Sequence, residues 1–408
     1  MTAAPRITIV GASLAGLRTA EAVLAALPEA RVTMVGAERY LPYNRPPLSK
    51  DAAEALAAPG ADAAAVFERL VLKSRLATGA VDMRLGVAAE AMEKDALRLS
   101  DGTVLRHDWL VAATGLRPRR LALRGAEGRR FVLRTFDEAV RLGHAMRPGA
   151  RMVVAGGGFI GCEIAATARK LGLHVTIVEP MEQPMIGALG PRVAAAMAAM
   201  HRAQGVTILA GRSVAAVSDS DSAVILDDGR ALEADLMVEA LGSHPNVEWL
   251  EGSGADLSNG VLCDNRLIAQ GADRLLAVGD VARFPNPLFG PAPRRVEHWC
   301  VPGQTARRAA ETIAACETGR DPEPGFAPMP SFWSDQHGTR LQSFGAPALA
   351  EAAEVISGDL TQVGTEPVIV EYHRGGRPVA VLGLGAPPAA LAPHRARLER
   401  ALSPETVE

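Results

Sequence analysis

Two glycine-rich turns, each between a short apolar segment and a helix-like segment, constrain this chain more than any other feature. The first is Gly11-Ala-Ser-Leu-Ala-Gly16, and the second is Gly156-Gly-Gly-Phe-Ile-Gly161. Glycine has no Cβ and tolerates positive φ, so such a turn lets backbone N–H groups at a helix N-terminus approach a pyrophosphate. The sequence therefore predicts two dinucleotide-binding units in one chain.

An acidic residue follows each turn at the end of a second predicted strand. Glu38 closes the segment that begins at Arg31, and Glu179 closes the segment that begins at His174. A carboxylate at this position can accept hydrogen bonds from the ribose hydroxyls of adenosine. One glycine turn alone is weak evidence, because ordinary strand-to-helix turns share the pattern. Two turns with matching strands and acids favour dinucleotide binding over that interpretation.

The overall composition is that of a soluble globular protein with more than one domain. The chain has 408 residues, of which 48% are hydrophobic and 22% are charged, and its formal net charge is −3. This balance favours neither nucleic acid nor a membrane surface as a partner. The longest apolar stretch, 152–168, is interrupted by glycines and by Glu163, which suits a buried strand, turn and helix. We expect a cytoplasmic protein.

The four cysteines exclude one kind of redox chemistry. They show neither close pairing nor the spacing of metal ligands, and the segment from the first glycine turn to residue 82 contains none. We therefore predict no metal site and no disulfide exchange. Electrons must leave the protein by another route. The four residues are Cys162, Cys263, Cys300 and Cys316.

The order of predicted elements indicates an α/β protein with three domains. The first domain is predicted to be discontinuous, formed by residues 1–108 and 238–319, and the second to cover 109–237. Both are expected to be Rossmann-like, with parallel strands and helical crossovers. A proline-rich linker then leads to a small α+β domain over 320–408 with alternating apolar and polar segments.

These motifs together resemble the FAD-dependent pyridine-nucleotide oxidoreductases, and within them the ferredoxin reductases that serve Rieske oxygenases and haem monooxygenases. The resemblance spans about 6–345 and implies a glutathione-reductase-like fold with an FAD-binding first domain and an NADH-binding second domain. Its most discriminating segments are the arginine-proline run and the Glu-His-Trp triplet. The segments that carry it are Tyr43-Asn-Arg-Pro-Pro-Leu-Ser-Lys50, Ala113-Thr-Gly115, Leu133-Arg-Thr135, Gly156-Gly-Gly-Phe-Ile-Gly-Cys-Glu163, Ala277-Val-Gly-Asp280, Arg295-Val-Glu-His-Trp299 and Ser331-Phe-Trp-Ser-Asp-Gln336.

The resemblance implies non-covalent FAD and NADH and supplies roles for individual residues. Those expected around FAD are Gly11, Ser13, Ala15 and Gly16 at the pyrophosphate, Glu38 at the ribose, Val87 at the adenine, Arg45 and Arg134 near the phosphates or flavin rim, Asp280 at the ribityl chain, and Ala113, Thr114, Gly115, Gly279 and His298. Gly242 is also expected to bind a cofactor. Ser13 replaces the middle glycine of the usual pattern, and its hydroxyl can donate to phosphate. Those expected around NADH are Gly156, Gly158, Phe159, Ile160, Gly161 and Glu179.

Four residues are expected to act on hydride transfer. In the resembled family the lysine of Leu-Ser-Lys and the glutamate of Gly-Cys-Glu, here Lys50 and Glu163, converge where nicotinamide stacks on the flavin. Taken alone, each would more often be a surface charge. The resemblance also implies that Trp299 and Trp333 wall the flavin and that Glu297 meets the nicotinamide ribose or carboxamide.

The implied function is an NADH:ferredoxin reductase whose partner is an acidic 2Fe–2S ferredoxin. Arg294, Arg295, Arg307 and Arg308 cluster in sequence around the Glu-His-Trp triplet and are candidates for a positive docking rim, or equally for solvated helix charge. Two alternatives stay open. One is an NADH oxidase that uses oxygen, and the other is an NADH-responsive flavoprotein of the apoptosis-inducing-factor type.

Overall fold

The computed structural model describes residues 4–218, 222–322 and 325–403. The chain divides into two compact units, and each is discontinuous in sequence. The first unit comprises 1–44, 71–117 and 244–330, and the second comprises 45–70, 118–243 and 331–408. The chain therefore passes repeatedly from one unit to the other.

A parallel sheet forms the centre of the first unit. Its strand order is Leu275–Ala277, Trp109–Ala112, Arg6–Val10, Arg31–Gly36 and Asp82–Leu85. Strands buried on both faces are continuous apolar runs, as parallel sheets require. The helices Leu14–Ala26 and Val301–Glu317 pack against each other. The first of them begins directly after the first glycine turn.

Smaller elements complete the first unit. One antiparallel sheet contains Ala89–Glu93, Ala96–Leu99 and Val104–Arg106, and a mixed sheet contains Val261–Leu262, Ala282–Phe284 and Arg294–Arg295. Short 3-10 helices cover Glu248–Leu250, Gly279–Val281 and Pro287–Phe289. The short strands Leu116–Pro118 and Ser243–Pro245 lie where the chain leaves one unit for the other.

The second unit repeats the parallel architecture. Its sheet has the order Thr207–Ala210, His174–Glu179, Arg151–Ala155, Leu236–Glu239 and Arg130–Phe131. The second glycine turn joins the central strand Arg151–Ala155 to the helix Phe159–Lys170. An antiparallel sheet of Val214–Val217, Ala223–Leu226 and Ala231–Glu233 follows the longer helix Ile186–Ala203. The other helices of this part are Pro46–Ser49, Asp51–Ala57, Ala63–Leu70, Glu127–Arg129 and Phe136–Ala145.

An antiparallel sheet near the C-terminus also belongs to the second unit. Its strand order is Ser331–Gln336, Thr339–Gly345, Arg377–Leu384, Val368–Arg374 and Ala352–Ser357. The 3-10 helices Pro347–Leu349 and Leu360–Gln362 connect its strands, and the helix Pro388–Leu402 follows the last one in sequence.

The predicted α/β class with Rossmann-like domains and a C-terminal α+β portion is confirmed, but the boundaries differ. Trp109–Ala112 pairs in parallel with Arg6–Val10, so this strand belongs to the first unit and not to 109–237. Leu236–Glu239 pairs with Arg151–Ala155, so a boundary at 237/238 cuts a strand of the second sheet. Each strand is fully buried, and an apolar strand alone does not reveal which of two similar sheets it joins.

A buried carboxylate anchors the edge of the second unit's parallel sheet. Glu239 accepts hydrogen bonds from Arg130 Nε at 2.7 Å and from the Leu121 backbone N–H at 2.8 Å. Burial alone would raise the pKa of Glu239, but the hydrogen bonds from Arg130 and Arg120 hold that pKa below its usual value. The charge is therefore compensated within the fold.

We predict that Glu239→Ala lowers the free energy of unfolding by roughly 3–5 kcal/mol, because it leaves the buried Arg130 guanidinium uncompensated. Urea unfolding followed by far-UV circular dichroism measures the change. The matched control is Asp95→Ala, which removes an exposed ion pair to Arg106 and should cost at most about 1 kcal/mol. Equal losses for the two variants would contradict this account of Glu239.

Candidate functional site

The first glycine turn packs too tightly for a side chain at its first and last residues. Gly11 has φ +124°, and a Cβ there would lie 2.1 Å from the carbonyl oxygen of Ala113. A Cβ at Gly16 would lie 2.0 Å from the carbonyl oxygen of Gly11. The helix that carries Ala15 therefore begins directly against the strand end, as a phosphate-binding turn requires. Ser13 is the N-cap of this helix.

The second turn repeats this geometry around an open position. Gly156 has φ +102°, and a Cβ there would lie 2.4 Å from the carbonyl oxygen of Ala240; a Cβ at Gly161 would lie 2.2 Å from that of Gly156. Gly158, the N-cap of the helix Phe159–Lys170, is different, because no atom of the described residues lies within 4 Å of the Cβ position. Space beside the helix N-terminus is therefore open.

Both helix N-termini are suited to an anion. Within the described residues, neither Leu14–Ala26 nor Phe159–Lys170 has a side-chain cap or an acidic residue in its first turn. The first N–H groups of a helix have no partner inside the helix, and its dipole favours negative charge there. These features fit a bound pyrophosphate at each turn.

The two acids differ in their surroundings. Glu38 lies two residues beyond the strand Arg31–Gly36 and accepts a hydrogen bond from the Tyr43 hydroxyl at 2.7 Å. Glu179 is the last residue of its strand and is buried. It accepts from the backbone N–H of Gly157 at 2.6 Å and of Met181 at 2.8 Å. The carboxylate predicted to bind the ribose is thus hydrogen-bonded directly to the backbone of the second glycine turn.

Other residues predicted around FAD in the first unit have structural bonds of their own. The Thr114 hydroxyl donates to the Asn246 carbonyl at 2.7 Å, and the Asn246 side chain returns a bond to the Thr114 carbonyl. The Gly279 N–H donates to the Thr305 hydroxyl at 2.9 Å. The Val87 N–H donates to the Gly36 carbonyl, which commits that N–H to the sheet. Gly115 has φ +60°.

The Glu-His-Trp triplet is held at its two ends. Arg295 forms an ion pair with Glu297 at 2.9 Å and also donates to the carbonyl oxygen of Asp280. Burial lowers the pKa of His298 to about 4. Trp299 remains 44% exposed, and its indole N–H donates to the side chain of Asn44 at 3.1 Å. A large aromatic surface is therefore available next to the first unit's functional residues.

The second unit contains an ion pair between the half-buried Lys50 and the buried Glu163. Lys50 Nζ lies 2.7 Å from Glu163 Oε2, and Glu163 is only 6% exposed. Glu163 comes from the helix that follows the second glycine turn, and Lys50 comes from the proline-rich segment. The structure thus brings together the two charges that the sequence singled out.

Two serines that the sequence analysis did not select complete this ion-pair site. The Ser49 hydroxyl donates to Glu163 Oε2 at 2.5 Å, and the Ser334 hydroxyl donates to Glu163 Oε1 at 2.7 Å. Both serines lie inside segments that carry the family resemblance, so their position was a usable signal. Their polar character alone did not identify them, because a serine in a turn or in a strand is ordinary.

Prolines shape the segment that presents Lys50. Pro46–Ser49 forms a 3-10 turn, and Lys50 Nζ donates back to the Pro46 carbonyl at 3.2 Å. The Thr167 hydroxyl donates to the Ser49 carbonyl at 2.7 Å, which ties this turn to the helix of Glu163. Because proline fixes φ, the turn presents Ser49 and Lys50 in one arrangement.

The remaining predicted residues of the second unit are distributed around these elements. Arg45 donates to the backbone carbonyl of Arg134 at 2.7 Å, so these two residues meet. The ring of Phe159 lies 5.0 Å from that of Phe332, and Ile160 is exposed. Trp333 is half-buried beneath the guanidinium of Arg340. Gly242 has φ +84°, and its carbonyl accepts from the Arg119 N–H.

Comparison with known proteins assigns the family. Residues 5–309 match the model of the pyridine nucleotide-disulphide oxidoreductases, and residues 331–407 match that of the reductase C-terminal domain. The chain belongs to this oxidoreductase family. The chain is 37% identical to the ferredoxin–NAD(+) reductase component of the anthranilate 1,2-dioxygenase system from Burkholderia cepacia, covering 85% of this chain and 82% of that protein.

Two further matches extend the comparison. Putidaredoxin reductase from Pseudomonas putida is 35% identical, with 93% of this chain and 89% of that protein covered. The crystal structure of the covalent putidaredoxin reductase–putidaredoxin complex superposes with a TM-score of 0.87 at 30% identity, over 98% of this chain and 94% of that one. The family resemblance and the fold class predicted from sequence are both confirmed.

The arginine rim predicted for this family member is wrong in part. The Arg308 side chain is 4% exposed, and its Nε donates to the Asn265 carbonyl at 3.1 Å. Arg295 is also largely buried and bonded as described above. Neither can therefore serve as an open docking charge. Arg307 is exposed and Arg294 is half-buried.

The described ranges hold no cluster of metal-ligating side chains. The thiols of Cys162 and Cys263 are buried, and burial raises the pKa of both, that of Cys263 to about 12. Such thiols are not reactive nucleophiles. None of the helices in those ranges combines the length and the apolar character that crossing a bilayer demands.

Proposed function

We propose that this chain is an FAD-dependent NADH:ferredoxin reductase that supplies electrons to an oxygenase through a 2Fe–2S ferredoxin. The observation that carries the proposal is a buried Lys50–Glu163 pair beside an uncapped glycine turn, in a chain that has a second such turn. The relatives quoted above are ferredoxin reductase components or the reductase of putidaredoxin, and they support the same function.

Both cofactors fit the two turns. The tight glycine packing, the uncapped helix N-termini and the open space at Gly158 are what a pyrophosphate needs. When bound, FAD supplies the exchange between two-electron and one-electron transfer. The first turn, with Ser13 and Glu38, would hold FAD. The second, with Gly158 and Glu179, would hold NADH.

Glu179 favours NADH over NADPH. Its carboxylate can accept hydrogen bonds from a ribose 2′-hydroxyl, whereas a 2′-phosphate in the same place would be repelled. The next residues, Pro180 and Met181, offer no cation to a phosphate. The backbone bonds from Gly157 and Met181 hold the carboxylate where the second turn begins.

Gly158→Ala provides a test of the NADH site. Gly158 has φ −72°, which alanine adopts without strain, and its Cβ position is open. We predict unchanged thermal stability but an NADH Kd that is at least about tenfold higher, because the methyl group would occupy the phosphate position. Anaerobic titration with NADH measures this Kd. Gly128→Ala, another open position, is the control. An unchanged Kd would contradict this placement of NADH.

Lys50 and Glu163 are proposed to act on hydride transfer. The Lys50 ammonium, 2.7 Å from the buried Glu163 carboxylate, is held in a fixed position. Lys50 would stabilise the negative charge that accumulates on the flavin when it accepts hydride, and Glu163 would hold Lys50 in place. Trp299, which is 44% exposed, would exclude water from the cofactor of the first unit, since it offers a broad apolar surface.

Ferredoxin-dependent turnover tests the proposed function. In air, the purified yellow protein should consume NADH slowly by itself and much faster when a 2Fe–2S ferredoxin is added, with cytochrome c as the final acceptor. Fast consumption that is indifferent to several such ferredoxins would instead support an NADH oxidase. A slow reaction together with an NADH-dependent change of oligomeric state would support the apoptosis-inducing-factor type.

Arg307→Glu supplies the docking control for the same assay. We propose that the partner ferredoxin is acidic and contacts the exposed Arg307. The variant should raise the KM for ferredoxin at low ionic strength, where the surface charge is least screened and attracts the partner most strongly. Flavin reduction by NADH should be unchanged, because this charge affects only the association with ferredoxin. An unchanged KM at low salt would remove Arg307 from the docking surface.

A further inference from the structure

Glu163 is also the end point of a chain of hydrogen bonds that runs away from Lys50. Ser334 Oγ, which donates to Glu163 Oε1, lies 2.9 Å from Gln336 Nε2. Gln336 Oε1 lies 2.8 Å from His201 Nε2, and His201 Nδ1 lies 3.0 Å from His337 Nε2. Ser334, Gln336 and His201 are each at most 1% exposed, whereas His337 is half-buried.

The chemistry of these groups gives the chain one direction. An amide oxygen only accepts, so His201 Nε2 carries the proton, and a neutral His201 then accepts at Nδ1 from His337 Nε2–H. The Gln336 amide nitrogen donates to Ser334 Oγ and also to the sulfur of Met185. The Ser334 hydroxyl proton is therefore directed at Glu163. Every donor in the chain points towards the carboxylate.

Regular secondary-structure elements position the residues of this hydrogen-bond chain. Ser334 and Gln336 lie on the same face of the strand Ser331–Gln336, because residues two apart in a strand point to the same side. His337 and Gly338 form the hairpin turn that follows, with φ +49° and +77°, the combination that a tight two-residue hairpin turn uses. This turn directs His337 back to His201 near the end of the helix Ile186–Ala203.

Both imidazoles favour their neutral forms. Burial lowers the pKa of His201, although its bond to Gln336 opposes the shift. Burial, His201 and Arg169 together lower the pKa of His337 to about 4. Near neutral pH the two rings are therefore uncharged, and the direction of donation derived above is the one that satisfies them.

We propose that Ser334, Gln336, His201 and His337 are positioning residues that hold the Glu163 carboxylate in the orientation with which it fixes Lys50. Ser49 and Lys50 occupy one oxygen of Glu163, and this chain occupies the other. The four residues act through Glu163 and need not touch either cofactor. The proposal rests on the proposed function only as far as hydride transfer from NADH to FAD.

Single-turnover kinetics of Ser334→Ala test this role. We expect the rate constant for flavin reduction by NADH to fall about tenfold, as for loss of one hydrogen bond to a charged group. The Kd for NADH should change less than twofold, because the glycine turn is untouched. Gln336→Leu, which breaks the chain one step further away, should slow reduction by a smaller factor and serves if Ser334→Ala fails to fold.

Ser343→Ala is the matched control. Ser343 is a fully buried serine on the adjacent strand Thr339–Gly345, and its hydroxyl has no hydrogen-bond partner within the described residues. Its loss should leave the rate constant unchanged. An unaltered rate in Ser334→Ala, or an equal slowing in Ser343→Ala, would overturn the proposal.

A spectroscopic measurement tests the chain without any turnover. In nitrogen-15 histidine spectra of the oxidised protein at pH 7, His201 should be the neutral Nε2–H tautomer, and Gln336→Leu should shift its resonances. An Nδ1–H tautomer or a charged ring would overturn the assigned direction. Failure of the proposed function has a different result: the wild-type protein would not pass electrons to ferredoxin, whereas failure of this inference leaves wild-type and Ser334→Ala equally fast.

Discussion

The structure around the proposed NADH turn depends on one requirement, which is to supply the buried carboxylate of Glu163 with an ion pair and hydrogen bonds. An ionised carboxylate away from water is stable only if it is paired and hydrogen-bonded. The protein meets this requirement with an ammonium and a hydroxyl from the proline-rich turn and a second hydroxyl from the strand Ser331–Gln336. The proline-rich turn, the helix after the second glycine turn and the first strand of the C-terminal sheet must therefore be placed relative to one another within the second unit.

The two glycine turns share one local backbone geometry. In each turn the first glycine has positive φ and packs against a backbone carbonyl, and the last glycine packs against the first. Each turn is followed by a helix without an acid in its first turn among the described residues. A turn built this way stabilises its own helix poorly, because side-chain caps normally satisfy the first N–H groups. This arrangement makes physical sense when phosphate oxygens accept from those groups.

The sequence was informative where local geometry decides and less so where tertiary contacts decide. The glycine turns, Glu179 and the pair of Lys50 with Glu163 could be predicted, because backbone conformation or family motifs identify them. The hydroxyls of Ser49 and Ser334 were missed although both lie in segments that carry the family resemblance, since their role depends on which segments meet. The docking rim was wrong in part, because adjacent residues on a helix differ by about 100° in direction, and here Arg307 is exposed whereas Arg308 is buried. Family membership does not reveal such differences in burial.

The central claim is that Lys50 and Glu163 act as one unit in hydride transfer. A double-mutant cycle of Lys50→Met and Glu163→Gln, measured as single-turnover flavin reduction by NADH, tests it most directly. If the claim holds, each single variant slows reduction by roughly tenfold or more, and the double variant is no slower than the worse single one. Effects that multiply in the double variant would show two independent residues and would contradict the account.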